Sequence, residues 1–171
     1  MPFTQFVETL VAKLRPHGKL ITAAVAQYIQ AGAQDEVLPL FDIVNVMIYG
    51  TYERSVADMA YWANTKHVPR EKLTLGIGFH NYSTLLQNYP NAWAVDSVGG
   101  GTYRDGAVIT YQGENSVARE TQLSLHYGGA MIWELTQDDP AGPHSLLKVI
   151  QKYLDPSEPK VLPPPRRNGG D

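Results

Sequence analysis

The sequence predicts an α/β fold with a parallel sheet of about four strands, and three observations predict it. Helical and strand-like segments alternate along the chain, which implies right-handed crossovers between parallel strands. The strand segments are near-continuous apolar runs, the pattern of strands buried on both faces. Each run ends in a polar or aromatic residue, on the side where such sheets place their ligands.

The elements follow in order. Phe6, Leu10, Val11 and Leu14 fall at helical spacing behind Thr4, so residues 4–15 read as an amphipathic helix closed by Pro16 and Gly18. Lys19 to Ala26 reads as a buried strand, and residues 27–40 as a loop with a short helical turn before Pro39. Phe41 to Tyr49 is the clearest strand, rich in β-branched residues, with Asn45 at its centre in need of hydrogen-bond partners if buried. Gly50, Thr51 and Tyr52 turn the chain. Ser55 is expected to cap a helix over 56–67 with Val56, Met59, Ala60 and Ala63 on its apolar side. Leu73 to Phe79 forms a third strand, and Asn115 is expected to cap a helix over 116–126.

The fourth strand lies in Tyr127–Asp139. Gly128 and Gly129 permit a tight turn, Ala130, Met131 and Ile132 ask for burial, and Trp133 and Glu134 lead a polar end. Leu146, Leu147, Val149, Ile150 and Leu154 then form a last amphipathic helix. The expected organisation is one domain over 1–154, with residues 81–113 as an insertion too long for an ordinary connection and a proline-rich tail over 155–171. Two architectures satisfy this pattern, an α/β sandwich and one half of a (β/α)8 barrel.

Composition narrows the function. The 171 residues are 43% hydrophobic and 18% charged, a globular balance, with a net charge of −3 and no basic block beyond Arg166-Arg167. A nucleic acid or an anionic membrane has no electrostatic footprint here, and a neutral substrate fits better. The chain has no cysteine, and its five histidines, at 17, 67, 80, 126 and 144, show no metalloprotease spacing, so neither a metal nor another cofactor is expected. The amino terminus has neither the basic nor the apolar part of a signal peptide, which leaves localisation open.

Three segments together resemble the carboxyl-terminal half of the chitinases of glycoside hydrolase family 18. Phe41 to Tyr49 is similar to that family's sixth barrel strand, which ends in Met-x-Tyr-Asp. Leu75-Gly76-Ile77-Gly78-Phe79 resembles the seventh, and Tyr127 to Asp139 the eighth, written Gly-Gly-x-Met-x-Trp-Glu-x-x-x-Asp-Asp. Leu20 to Val25 would be the fifth. The resemblance covers about residues 4 to 154 and implies a partial (β/α)8 TIM barrel comprising strands five to eight. The family's acid motif, Asp-x-x-Asp-x-Asp-x-Glu, occurs nowhere in the chain.

The resemblance implies hydrolysis of β-1,4-linked N-acetylglucosamine polymers, in which a glutamic acid protonates the glycosidic oxygen while the substrate's N-acetyl oxygen attacks the anomeric carbon. Tyr49 would orient the N-acetyl carbonyl, Trp133 would floor the sugar, and Met47 would line the pocket. His80 and the insertion residue Trp93 are further substrate-binding candidates. Each has a plainer reading: Tyr49 as a core tyrosine, Met47 as packing, His80 as an exposed strand-end histidine, Trp93 as an aromatic folded onto the scaffold. Glu134 and Asp138 are expected to brace the loop after the strand. Gly50 stands where the family has Asp, and Gly78 and His80 where it often has Pro and Tyr.

With the acid missing, the chain by itself is expected to be inactive, a non-catalytic module that binds chitooligosaccharides being the alternative. A partial barrel also leaves open strand edges, from which a homodimer or association with an amino-terminal half-barrel is expected.

Overall fold

The structure, a computed structural model, describes residues 3–26, 35–89, 91, 93, 101–102, 108–109 and 112–159. In chain order its elements are α1 (Phe3–Leu14), β1 (Thr22–Ala26), β2 (Ile43–Met47), α2 (Tyr52–Asn64), β3 (Leu73–Gly78), α3 (Tyr82–Asn88), β4 (Gly101–Thr102), β5 (Val108–Ile109), α4 (Glu114–Ser124), β6 (Ala130–Trp133) and α5 (Leu146–Tyr153). They fall into two compact units, residues 1–78 with 123–133 and residues 79–122 with 134–171.

The first unit holds the sheet. Its four strands are all parallel, as the alternating pattern predicts, in the order β1-β2-β3-β6. Side chains alternate across a strand, and on one face of β2 and β3 the residues Val44, Val46, Leu73, Leu75 and Ile77 are wholly buried. Asn45, on the other face, is satisfied across both neighbours: its Nδ2 donates to the Ala23 carbonyl at 3.2 Å and its Oδ1 accepts from Thr74 Oγ1 at 2.7 Å. The mid-strand amide thus ties three strands together.

Several expected boundaries shift. The helix expected behind Ser55 begins at Tyr52, with Thr51 as its cap, whose hydroxyl accepts from the Arg54 N–H at 3.3 Å. Ser55 is buried inside the helix, and the inward stripe is Ser55, Asp58, Met59 and Trp62 while Val56 is exposed. Asp58 is tolerated there because Arg54, one turn earlier, binds both its oxygens at 3.2 Å. Asn115 likewise lies within α4 and not ahead of it. In α1 only Val7 is buried, and Phe6 and Leu14 face solvent.

Ala130 to Trp133, expected to be buried on both faces, is half-exposed, because β6 is the other edge of the sheet. The turn feeding it needs its glycines. A Cβ on Gly128 would collide with the Glu71 carbonyl oxygen, and Gly129 has φ +114°, which disfavours a side chain.

In the second unit, Asp138 organises the start of α5. Its carboxylate accepts from Ser145 Oγ and the Leu146 N–H, both at 2.7 Å, and from the Leu147 N–H at 3.3 Å, while Ser145 caps the helix through the Lys148 N–H. α3 falls inside the stretch expected to be irregular, and β4 and β5 form a short antiparallel pair there. Of the residues expected to form loop and tail, 27–34 and 160–171 lie outside the described set. Among the described residues no helix is long and apolar enough to cross a membrane, and no group of three metal-ligating side chains occurs.

Candidate functional site

Strand pairing places the site. β2 ends in Met47, and its alternation continues past the strand, with Ile48 buried and Tyr49 half-buried. On β6, Met131 pairs with Gly76 and Trp133 with Gly78. In a parallel sheet, paired neighbours point to the same side, so Met131 and Trp133 share a face with the two glycines of β3. Met47 borders that stripe from the β2 side: a Cβ built on Gly76 would lie 3.2 Å from Met47 Cα and 3.2 Å from Met131 Cε. Gly76 therefore lets Met47 and Met131 close over β3, which is buried along its whole length, with Tyr49 beyond Met47 and Trp133 beyond Met131.

The two aromatics differ chemically. Trp133 is 52% exposed, an indole presented at a strand end. The Tyr49 hydroxyl oxygen is buried, and burial pushes its phenol above the ordinary tyrosine value. It stays protonated at neutral pH and able to donate a hydrogen bond. Gly50 leaves space beside Arg54, where a Cβ would meet the Arg54 side chain at an ordinary 3.4 Å.

Met47, Tyr49 and Trp133 thus belong to the first compact unit, and His80 and Trp93 to the second. His80 is half-buried just after β3. Trp93 stacks on the His144 ring, with centroids 4.4 Å apart and planes 9° from parallel. His144 Nδ1 lies 2.9 Å from Glu114 Oε1, and its carbonyl accepts from the Tyr82 hydroxyl at 2.8 Å. Glu134 and Asp138 brace the loop, as expected: Glu134 Oε1 accepts from Thr136 Oγ1 at 2.9 Å and from Gln137 Nε2 at 3.3 Å.

Sequence reasoning missed Met131 and the glycine stripe. Counting back by two from Trp133 reaches Met131, and the same count in Leu73–Gly78 places both glycines on one face. Only the pairing shows that these faces coincide.

The family model for glycosyl hydrolases family 18 matches residues 1–138. No curated protein matches the sequence. Among solved structures, a GH18 chitinase, ChiB, from the chitin utilization locus of Flavobacterium johnsoniae is 28% identical with a TM-score of 0.75, over 88% of this chain and 55% of that one. A chitinase from Bacteroides thetaiotaomicron matches at 21% identity and TM-score 0.74, over 89% and 57%. The GH18 chitinase of Cycas revoluta, solved in complex with (GlcNAc)3, matches at 22% and 0.64, over 89% and 63%. The chain therefore spans little more than half the length of the first two, and its four parallel strands with their helices are part of a (β/α)8 barrel. With the family model matching most of its length, the chain belongs to glycosyl hydrolases family 18.

Proposed function

We propose that this chain is the sugar-receiving, carboxyl-terminal part of a chitinase-like hydrolase, and that it binds β-1,4-linked N-acetylglucosamine oligomers without cleaving them unaided. The observation that carries the reading is the register that sets Trp133, half-exposed, opposite Gly78 on the same face of the sheet that Met47 borders from β2. An exposed indole together with a hydroxyl donor suits a pyranose, whose C–H faces stack on aromatics while its N-acetyl carbonyl needs a donor. The (GlcNAc)3 complex of the Cycas revoluta chitinase supports the choice of ligand.

In this reading Trp133 lies under the sugar ring, the Tyr49 hydroxyl donates a hydrogen bond to the N-acetyl carbonyl, and Met47 and Met131 pack beside them. That hydrogen bond would hold the N-acetyl oxygen toward the anomeric carbon, the geometry substrate-assisted hydrolysis requires. His80 and Trp93, in the second unit, are proposed as further substrate-binding residues, Trp93 with one indole face already taken by His144. Cleavage also needs a proton for the leaving oxygen, and the Asp-x-x-Asp-x-Asp-x-Glu motif is missing from these 171 residues. A general acid contributes about 10²- to 10⁴-fold.

Incubating the purified chain with an N-acetylglucosamine tetramer tests the inactive half of the proposal. No product is expected. Turnover that disappears in Tyr49→Phe would overturn it. A saturable change in tryptophan fluorescence during the same titration supports binding, and a flat titration at millimolar tetramer sinks it.

A further inference from the structure

We propose that Gln137 is a positioning residue for Trp133, clamping the loop after β6 to the loop after β3. This rests on the proposed sugar-binding role of Trp133. Gln137 Oε1 accepts from the backbone N–H of Asn81 at 2.6 Å, and its Nε2 donates to Glu134 Oε1 at 3.3 Å. Chemistry fixes the amide's orientation. A backbone N–H can only donate and a carboxylate can only accept, so the carbonyl faces Asn81 and the NH2 faces Glu134. Thr136 adds a third bond to the same Glu134 oxygen.

The clamp joins two informative points. Glu134 follows Trp133 directly in the chain, and Asn81 follows His80. Asn81 has φ +58°, a left-handed conformation uncommon outside glycine, and its carbonyl accepts from the Leu85 N–H to open α3. Residues 56 apart in sequence are thus held by one carboxamide at the strand ends that carry Trp133 and His80. Without it Glu134 keeps, among the described residues, only its short local bond to Thr136, and the loop that begins at Glu134 loses its bond to Asn81.

The test labels the three tryptophans with 5-fluorotryptophan, assigns the Trp133 ¹⁹F resonance by its loss in Trp133→Phe, and reads it without sugar. Gln137→Ala is expected to broaden or split that line and to weaken tetramer binding at least about fivefold. Gln137→Glu sets two carboxylates against each other and is expected to do the same. The reciprocal exchange Glu134→Gln with Gln137→Glu restores a donor facing an acceptor, while the carboxylate introduced at position 137 still accepts from the Asn81 N–H, and it is expected to return the single sharp line. An unchanged Trp133 line in folded Gln137→Ala, or a folded exchange variant that stays broadened, overturns the proposal. Failure of the wild type to bind tetramer overturns the proposed function instead and leaves the resonance test intact.

Discussion

At the scale of single residues, three groups separate what holds the fold from what meets a ligand. Asp138 is structural: it is buried, and three donors converge on its carboxylate to start α5. Removing an acceptor from buried donors costs more than one exposed cap, so Asp138→Ala is expected to lower stability by about 2–3 kcal/mol in urea unfolding. Asp42 links stability to pH. The Ile21 N–H, donating at 2.8 Å, holds its carboxyl below the ordinary carboxylate value, with Arg15 adding to the effect. A group whose folded value is depressed stabilises the fold above its unfolded value and loses that contribution as pH falls through the folded one. Acid titrations should therefore show wild type losing stability below about pH 4, and Asp42→Asn losing less over the same interval. Tyr49 is the contrasting case, with a half-buried ring and a phenol kept protonated by burial. It is suited to donate and unsuited to act as a base.

At the scale of elements, β3 decides the site. Gly76 is the reason Met47 and Met131 approach one another over the strand, and a Cβ there would also lie 2.5 Å from the Val46 carbonyl oxygen. Gly76→Ala must push β2 and β3 apart, with an expected loss of about 1–3 kcal/mol and a lower affinity for sugar. Strands were legible in the sequence because Ile43 to Met47 and Leu73 to Gly78 are short runs rich in β-branched and apolar residues. Helix starts were not. Ser55 and Asn115 are good capping types standing before apolar residues, and nothing local distinguishes Ser55 from Thr51, which makes the bond to Arg54. Register was equally hidden, since each strand shows its own alternation and not which residue of its neighbour it meets. Trp133, Tyr49 and Met131 stand in the quoted motifs, whereas the facing of Met131 onto Gly76 required pairing and the Asn81–Gln137 contact required folding.

At the scale of the whole molecule, the sheet ends in two strand edges, β1 and β6. Exposed apolar side chains include Phe6, on α1, at 49% and Leu20, two residues before β1, at 70%. The matched chitinases carry additional chain equal to 45% and 43% of their lengths, from 100 − 55 and 100 − 57. Open parallel edges flanked by apolar residues favour pairing with another chain, and a second copy or an amino-terminal half-barrel is the proposed partner. Sedimentation of the purified chain is expected to show self-association that Phe6→Asp with Leu20→Asp reduces; a monodisperse wild-type monomer argues against it. The central claim, that Tyr49 and Trp133 receive N-acetylglucosamine units, is tested most directly by calorimetric titration of wild type and Trp133→Ala with the tetramer. The account predicts saturable one-site binding by wild type and at least a tenfold weaker affinity in the variant, about 1.4 kcal/mol. Equal affinity in the two proteins, or no heat at millimolar tetramer in the wild type, would contradict it.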